Sequence, residues 1–120
     1  MNKQQKIINY YQNWESKWGY TLFTWDTKHF GYYPTKKRDV SEKEAQKLMM
    51  DLLAKKLKLK ETDVVLDAGC GRGTTSCYLA QKYNANVVGI DIVSFEIEMA
   101  KRKNQTLKLN SRVKFYLKDY

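Results

Sequence analysis

The sequence predicts an α/β fold built on an open parallel sheet. Three observations lead there. Short apolar runs recur at residues 64–66, 87–90 and 113–117, helical periodicity fills the intervals between them, and a glycine-rich turn succeeds the first run. A strand run without polar alternation suits a sheet covered on both faces, and strands alternating with helices imply parallel crossovers of one hand. The chain has 120 residues, enough for one domain or part of one.

The first helix is expected over residues 4–18, where Ile7, Ile8, Tyr11, Trp14 and Trp18 fall at spacings of three and four. Residues 19–40 then lose periodicity at Gly19, Gly31 and Pro34. Aromatics crowd this stretch (Tyr20, Phe23, Trp25, Phe30, Tyr32, Tyr33), so it reads as an ordered irregular segment with a role for that apolar surface. Residues 1–40 are therefore taken as an N-terminal helix and aromatic cap, and residues 41–120 as the α/β part.

Ser41-Glu42-Lys43-Glu44 is a capping box, and it opens a helix running to about Lys58 with Ala45, Leu48, Met49, Leu52 and Leu53 as its buried stripe. Residues 64–66 form a strand expected to be buried on both faces, ending at Asp67. Thr74 to Tyr83 reads as a helix, with Tyr78, Leu79 and Tyr83 available for packing. Residues 87–90 form the next strand, ending at Asp91. Ser94 is the expected N-cap of a further helix reaching about Lys103, and residues 113–117 supply a third strand before Asp119.

Composition narrows the function classes. No run of about 18 apolar residues exists, so a membrane-spanning helix is not expected, and residues 1–6 lead into too short an apolar patch for a secretory signal. A cytoplasmic setting is the expectation. One histidine and two cysteines cannot make the usual Cys/His zinc sites, so no metal is expected. Cys70 and Cys77 read as small buried residues rather than a disulfide. The net charge of +9 is uneven: residues 61–93 carry only Arg72 and Lys82 against Glu61, Asp63, Asp67 and Asp91. An acidic centre thus sits in a basic shell. The shell could attract nucleic acid, but its lysines are scattered over helix faces and loops, which favours an ordinary solvated surface.

The chemistry lies in Val65-Leu66-Asp67-Ala68-Gly69-Cys70-Gly71-Arg72-Gly73, between a strand and a helix, where open α/β sheets bind ligands. Glycines allow a sharp turn and a ligand against the main chain, and helix N-terminal amides point at that ligand. A phosphate-binding P-loop needs Gly-Lys-Ser/Thr, whereas Gly73 is followed by Thr74-Thr75. A dinucleotide fingerprint needs Gly-x-Gly-x-x-Gly/Ala, and the third position here is Thr74 or Ser76, depending on the first glycine. That disfavours an NAD-dependent oxidoreductase. Asp67, two residues before the first glycine, faces a pyrophosphate badly but suits a ligand with an ammonium group. Asp91, 20 residues beyond Gly71, can accept hydrogen bonds from both hydroxyls of a ribose.

These residues resemble the class I S-adenosylmethionine-dependent methyltransferases, whose fold is Rossmann-like; the match spans roughly residues 60–120. The resemblance implies S-adenosyl-L-methionine as cofactor, held at its methionine end by the loop of Asp67, Ala68, Gly69, Cys70, Gly71 and Gly73. It implies Asp91 on the ribose, Ile92 on the adenine face and Asp119 on the adenine amine. The segment ending His29-Phe30-Gly31-Tyr32-Tyr33, with the Tyr10-Tyr11 pair, is similar to the cofactor-closing segment of sterol, tocopherol and cyclopropane-fatty-acid methyltransferases. There the resemblance adds His29, Phe30 and Tyr33 as candidates for the cofactor or acceptor pocket, and no residue is assigned as a catalytic base.

The resemblance implies methyl transfer to a small, lipid-like acceptor, with this chain supplying the cofactor-binding half. A nucleic-acid methyltransferase and a non-catalytic interaction module of the same fold are the alternatives. An incomplete sheet is expected as well: only the 3-2-1 half of a 3-2-1-4-5 order is accounted for, leaving an apolar unpaired edge at residues 64–66. A fragment, a truncated product, or a chain whose sheet is completed by self-association or a partner is expected, with weak cofactor binding and no turnover alone.

Overall fold

The computed structural model describes residues 1–13, 27–35 and 39–120. Among the described residues seven elements follow in chain order: α1 (Lys3–Gln12), α2 (Glu42–Lys56), β1 (Val64–Ala68), α3 (Thr74–Tyr83), β2 (Asn86–Asp91), α4 (Ser94–Thr106) and β3 (Val113–Leu117). The strands form one parallel sheet in the order β1-β2-β3, with Val65 opposite Val87 and Val87 opposite Val113. This is the α/β, Rossmann-like half-sheet that the sequence predicted.

Both crossovers step the same way across the sheet, and crossovers of one hand then put both helices on one face. That face holds the core. Val87, Val113 and Phe115 from the strands meet Cys77, Leu79 and Ala80 of α3 and Ile97 and Ala100 of α4. The opposite face is largely bare: Val64 and Leu66 are 71% and 62% exposed, and Tyr116 is 48% exposed. The expectation that residues 64–66 are buried on both faces is therefore corrected. Their apolar run is that of an interior strand, but among the described residues β1 stands at the sheet edge and leaves Val64 and Leu66 exposed on one face.

Helix α2 keeps its cap but not its expected stripe. Ser41 Oγ accepts from the Glu44 amide at 3.2 Å. The fully buried residues are Ala45, Gln46, Met50 and Ala54, while Leu53 is half exposed. Relative to the expected stripe this face is turned by about one residue, roughly 100°. The reason lies in α2's contacts on two sides. Asp51 accepts from Tyr78 Oη (2.9 Å), Lys82 Nζ (2.7 Å) and Tyr83 Oη (2.6 Å) of α3. Burial pushes the Asp51 carboxyl up, but these three donors outweigh it and hold it below its usual range. On its other side Gly31 lies so close to Ala45 that a side chain there would collide, and Tyr32 N donates to Ala45 O at 2.8 Å.

Helix α1 stops sooner than its periodicity suggests. Asn2 caps it by accepting from Gln5 N at 2.8 Å, and Asn13 leaves it with extended backbone angles. Asparagine competes with the helix through its own backbone bonds. Trp14, Trp18, Tyr20, Phe23 and Trp25 lie outside the described residues. Helix α4 also begins differently. Its cap position is Val93, without a side-chain cap, so Ser94 is its first residue rather than its N-cap. Asp91 accepts from the Val93 amide just ahead of the helix.

Candidate functional site

At the C-terminal ends of β1 and β2 opens a crevice of about 420 Å³. The glycine loop forms its floor, α1 and residues 27–29 one wall, and the start of α4 the other. Open parallel sheets bind ligands outside the carboxyl ends of their strands, and the crevice lies there.

The loop is fixed from below. Gly69 N and Cys70 N both donate to Ile90 O, at 2.8 and 3.0 Å, extending the β1–β2 pairing past the strand end. Gly69, Gly71 and Gly73 all have φ in the left-handed region, at +73°, +52° and +73°. At Gly73 a side chain would also collide with the Phe115 ring, as it would at Gly89. The ring therefore sits on two glycines, one in the loop and one in β2.

Asp67 and Asp91 both line the crevice. Ser76, itself fully buried on α3, donates its hydroxyl to Asp67 Oδ2 at 2.6 Å. Burial raises the Asp67 carboxyl above its usual range; the Asp91 charge adds to the rise, and the Ser76 hydroxyl pulls against it. Asp91 accepts from Gly71 N through Oδ2 and from Val93 N through Oδ1, both at 2.9 Å. It thus braces the loop and the first turn of α4 together. Each carboxylate oxygen has two acceptor positions, so one remains on each for a ligand hydroxyl.

Ala68, Gly69, Cys70, Gly71 and Ile92 also line the crevice, whereas Gly73 lies behind it against Phe115. The Cys70 thiol is pushed up to about 12, by burial first and then by the Asp67 and Asp91 charges. Burial likewise raises Cys77 to about 11. Both stay protonated near neutrality, which removes them as nucleophiles. Asp119 faces a neighbouring hollow that shares Ile92 with the crevice.

The N-terminal candidates divide. His29 lines the crevice; its Nδ1 lies 3.0 Å from Phe30 O, and its Nε2 is buried with no hydrogen-bond partner. With Nδ1–H donating to that carbonyl, Nε2 presents its lone pair. Gln46 Nε2 donates to His29 O at 3.2 Å and fixes this backbone from α2. Phe30 and Tyr33 are 89% and 54% exposed and do not line the crevice.

Sequence reasoning missed a buried ion pair. Arg72 and Glu96 are 7% and 3% exposed, with Arg72 Nε 3.2 Å from Glu96 Oε2. Lys28 Nζ stands 3.9 Å from the other Glu96 oxygen, and the Arg72 guanidinium lies over the Phe95 ring. The cluster joins the N-terminal segment, the glycine loop and α4. Glu96 was legible only as a first-turn acid. Nothing in the sequence pairs it with Arg72, 24 positions away.

Comparison with known proteins decides the family. The family model for mycolic acid cyclopropane synthetase matches residues 3–120. The chain belongs to that family. A family relative in Talaromyces variabilis, S-adenosyl-L-methionine-dependent Diels-Alderase iccD, is 36% identical over 88% of this chain and 36% of its own length. Methyltransferase GfsG of Streptomyces halstedii is 34% identical over 82% of this chain and 35% of its own. Among solved structures, coclaurine N-methyltransferase bound to N-methylheliamine and SAH superimposes with a TM-score of 0.70. That match is 26% identical and covers 78% of this chain and 27% of that one. The chain thus spans about a third of the length of the curated relatives it matches. Among the described residues of this cyclopropane synthetase relative, no helix is long and apolar enough to cross a membrane.

Proposed function

We propose that this chain is the S-adenosylmethionine-binding half of a methyltransferase acting on a small, lipid-like acceptor. The observation that carries the reading is the convergence of Asp67 and Asp91 on one crevice floored by a glycine loop. A cationic ligand with an ammonium group and vicinal hydroxyls complements that floor. Asp67 and the lone pair of His29 Nε2 take the ammonium end, Asp91 the ribose, Ile92 the adenine face and Asp119 the adenine amine. Ala68, Gly69, Cys70 and Gly71 give main-chain contact beneath the methionine moiety, and Gly73 holds their turn.

The cofactor's sulfonium supplies an already activated methyl group. The protein's remaining task is in-line placement of the acceptor and exclusion of water. A capping role for the N-terminal part is supported by Ile7, Tyr11 and His29, which line the crevice, and by Gln46, which holds the His29 carbonyl. Family membership, and the SAH bound to the solved N-methyltransferase, support this reading. A cytoplasmic setting fits the two free, protonated thiols.

Equilibrium dialysis against S-adenosylhomocysteine tests it. Saturable binding is expected, weakened at least about tenfold by Asp91→Ala through loss of charged hydrogen bonds. No binding, or binding indifferent to Asp91, refutes it.

The Diels-Alderase relative favours one other reading, in which the same cofactor accompanies a cycloaddition. Label transfer from methyl-labelled cofactor to product separates the two. Labelled product marks a methyltransferase, and unlabelled cyclised product marks a cyclase.

A further inference from the structure

Beside the crevice lies a second hollow of about 210 Å³, lined by Gln4, Ile8, Ile92, Leu117, Lys118 and Asp119. Ile92 borders both hollows, and Asp91 precedes it, so a nucleoside whose sugar meets Asp91 directs its base here. Ile8, Ile92 and Leu117 offer apolar walls, and Asp119 offers an acceptor at the rim. A purine with an exocyclic amine has the matching surfaces: two apolar faces and a donor edge.

Each oxygen of that acceptor holds one donor, and the donor on Oδ2 comes from a residue that itself lines the hollow. Gln4 Nε2 donates to Asp119 Oδ2, and Tyr120 N donates to Asp119 Oδ1 at 3.0 Å. A carboxamide NH₂ and a purine amine are the same kind of planar two-proton donor. Gln4 reaches Asp119 from α1, ten residues with none buried, and ties the helix to the residues after β3. Ile8, one turn on, faces the same hollow, while Ile7 and Tyr11 face the crevice.

Resting on the cofactor reading, we propose that Gln4 is a built-in competitor for the adenine amine. Its carboxamide holds Asp119 when the hollow is empty and yields that carboxylate to the base. Ile8 stays over the ring as the exchange occurs. α1 is then both a cover for the nucleobase and a brake on its binding.

The test is Gln4→Ala in the full chain, with S-adenosylhomocysteine and its deaminated 6-oxo analogue as ligands in equilibrium dialysis. Removing the competitor tightens S-adenosylhomocysteine by roughly two- to fivefold, the worth of one exposed hydrogen bond to a charged acceptor. The 6-oxo analogue has no amine to place on Asp119, so its affinity stays unchanged. Equal shifts for both ligands, no shift, or weaker binding of S-adenosylhomocysteine overturns the exchange while leaving the cofactor reading intact. If wild-type protein binds neither ligand, the cofactor reading falls first and the exchange with it. Ile8→Ala is the companion variant: it weakens both ligands alike through lost ring contact, and a loss confined to one overturns Ile8's place over the ring.

Discussion

The crevice has two walls made on different terms. The glycine-loop side is fastened from the core: Gly69 and Cys70 to β2, Gly71 to Asp91, Gly73 against Phe115, and Arg72 to Glu96. Among the described residues, the N-terminal side is held by the Asn2 cap of α1 and by contacts between distant segments: Gln4 on Asp119, Gln46 on the His29 carbonyl, Gly31 and Tyr32 against Ala45, and Lys28 near Glu96. The loop side is pinned by the sheet itself, whereas α1 has no buried residue. Regions with few buried contacts open locally at low free-energy cost, and lids are drawn from them.

Substitutions should separate the two sides by size of effect. Gly73→Val combines a left-handed φ with a collision at Phe115, and is expected to cost about 4 kcal/mol in urea unfolding. A cost below about 1 kcal/mol would show the loop to be as yielding as the opposite wall. Arg72→Ala strands a buried Glu96, at an expected cost of about 3 kcal/mol. Comparison with the Arg72→Ala/Glu96→Gln double variant should recover much of that loss, and no recovery would mean the pair is not coupled.

Asp67→Asn gives a signature in pH rather than size. The Asp67 pKa is raised on folding, so the native state binds its proton more tightly than the unfolded chain. Its contribution is fully present below the ordinary carboxylate value of 3.8 and is lost as pH rises through the higher folded value. The variant should therefore gain on wild type between pH 3 and neutrality, as read by paired unfolding curves. A difference independent of pH would contradict it. The smallest effect belongs to Asn2→Ala. Loss of that cap costs about 1 kcal/mol of α1 alone. It should appear as faster amide exchange in residues 3–12 with an unchanged global midpoint, whereas a shifted midpoint would mean α1 unfolds with the core.

The same division governs what the sequence could tell. The sheet, α3 and the aspartate–glycine loop were legible because their determinants are local: apolar runs, glycine spacing, and acids at strand ends. The face of α2 was not, because Gln46 and Met50 are turned inward by Asp51's bonds to Tyr78 and Tyr83 and by the Gly31 contact, all distant in sequence. Ser94 failed as a cap because the helix opens one residue earlier, with the Val93 carbonyl accepting from Ile97 N. Phe30 and Tyr33 were grouped with His29 by the resemblance to a cofactor-closing segment, yet of the three only His29 lines the crevice. Ser76 was rejected as a dinucleotide glycine without notice that its hydroxyl reaches Asp67.

Phe115, wedged between a loop glycine and a strand glycine, makes three positions interdependent. Enlarging either glycine is tolerable only if the ring shrinks, and shrinking the ring alone leaves a void beneath the turn. Paired changes at these positions should depart from additivity. The third strand, which lends no backbone to the turn, nonetheless gauges its depth.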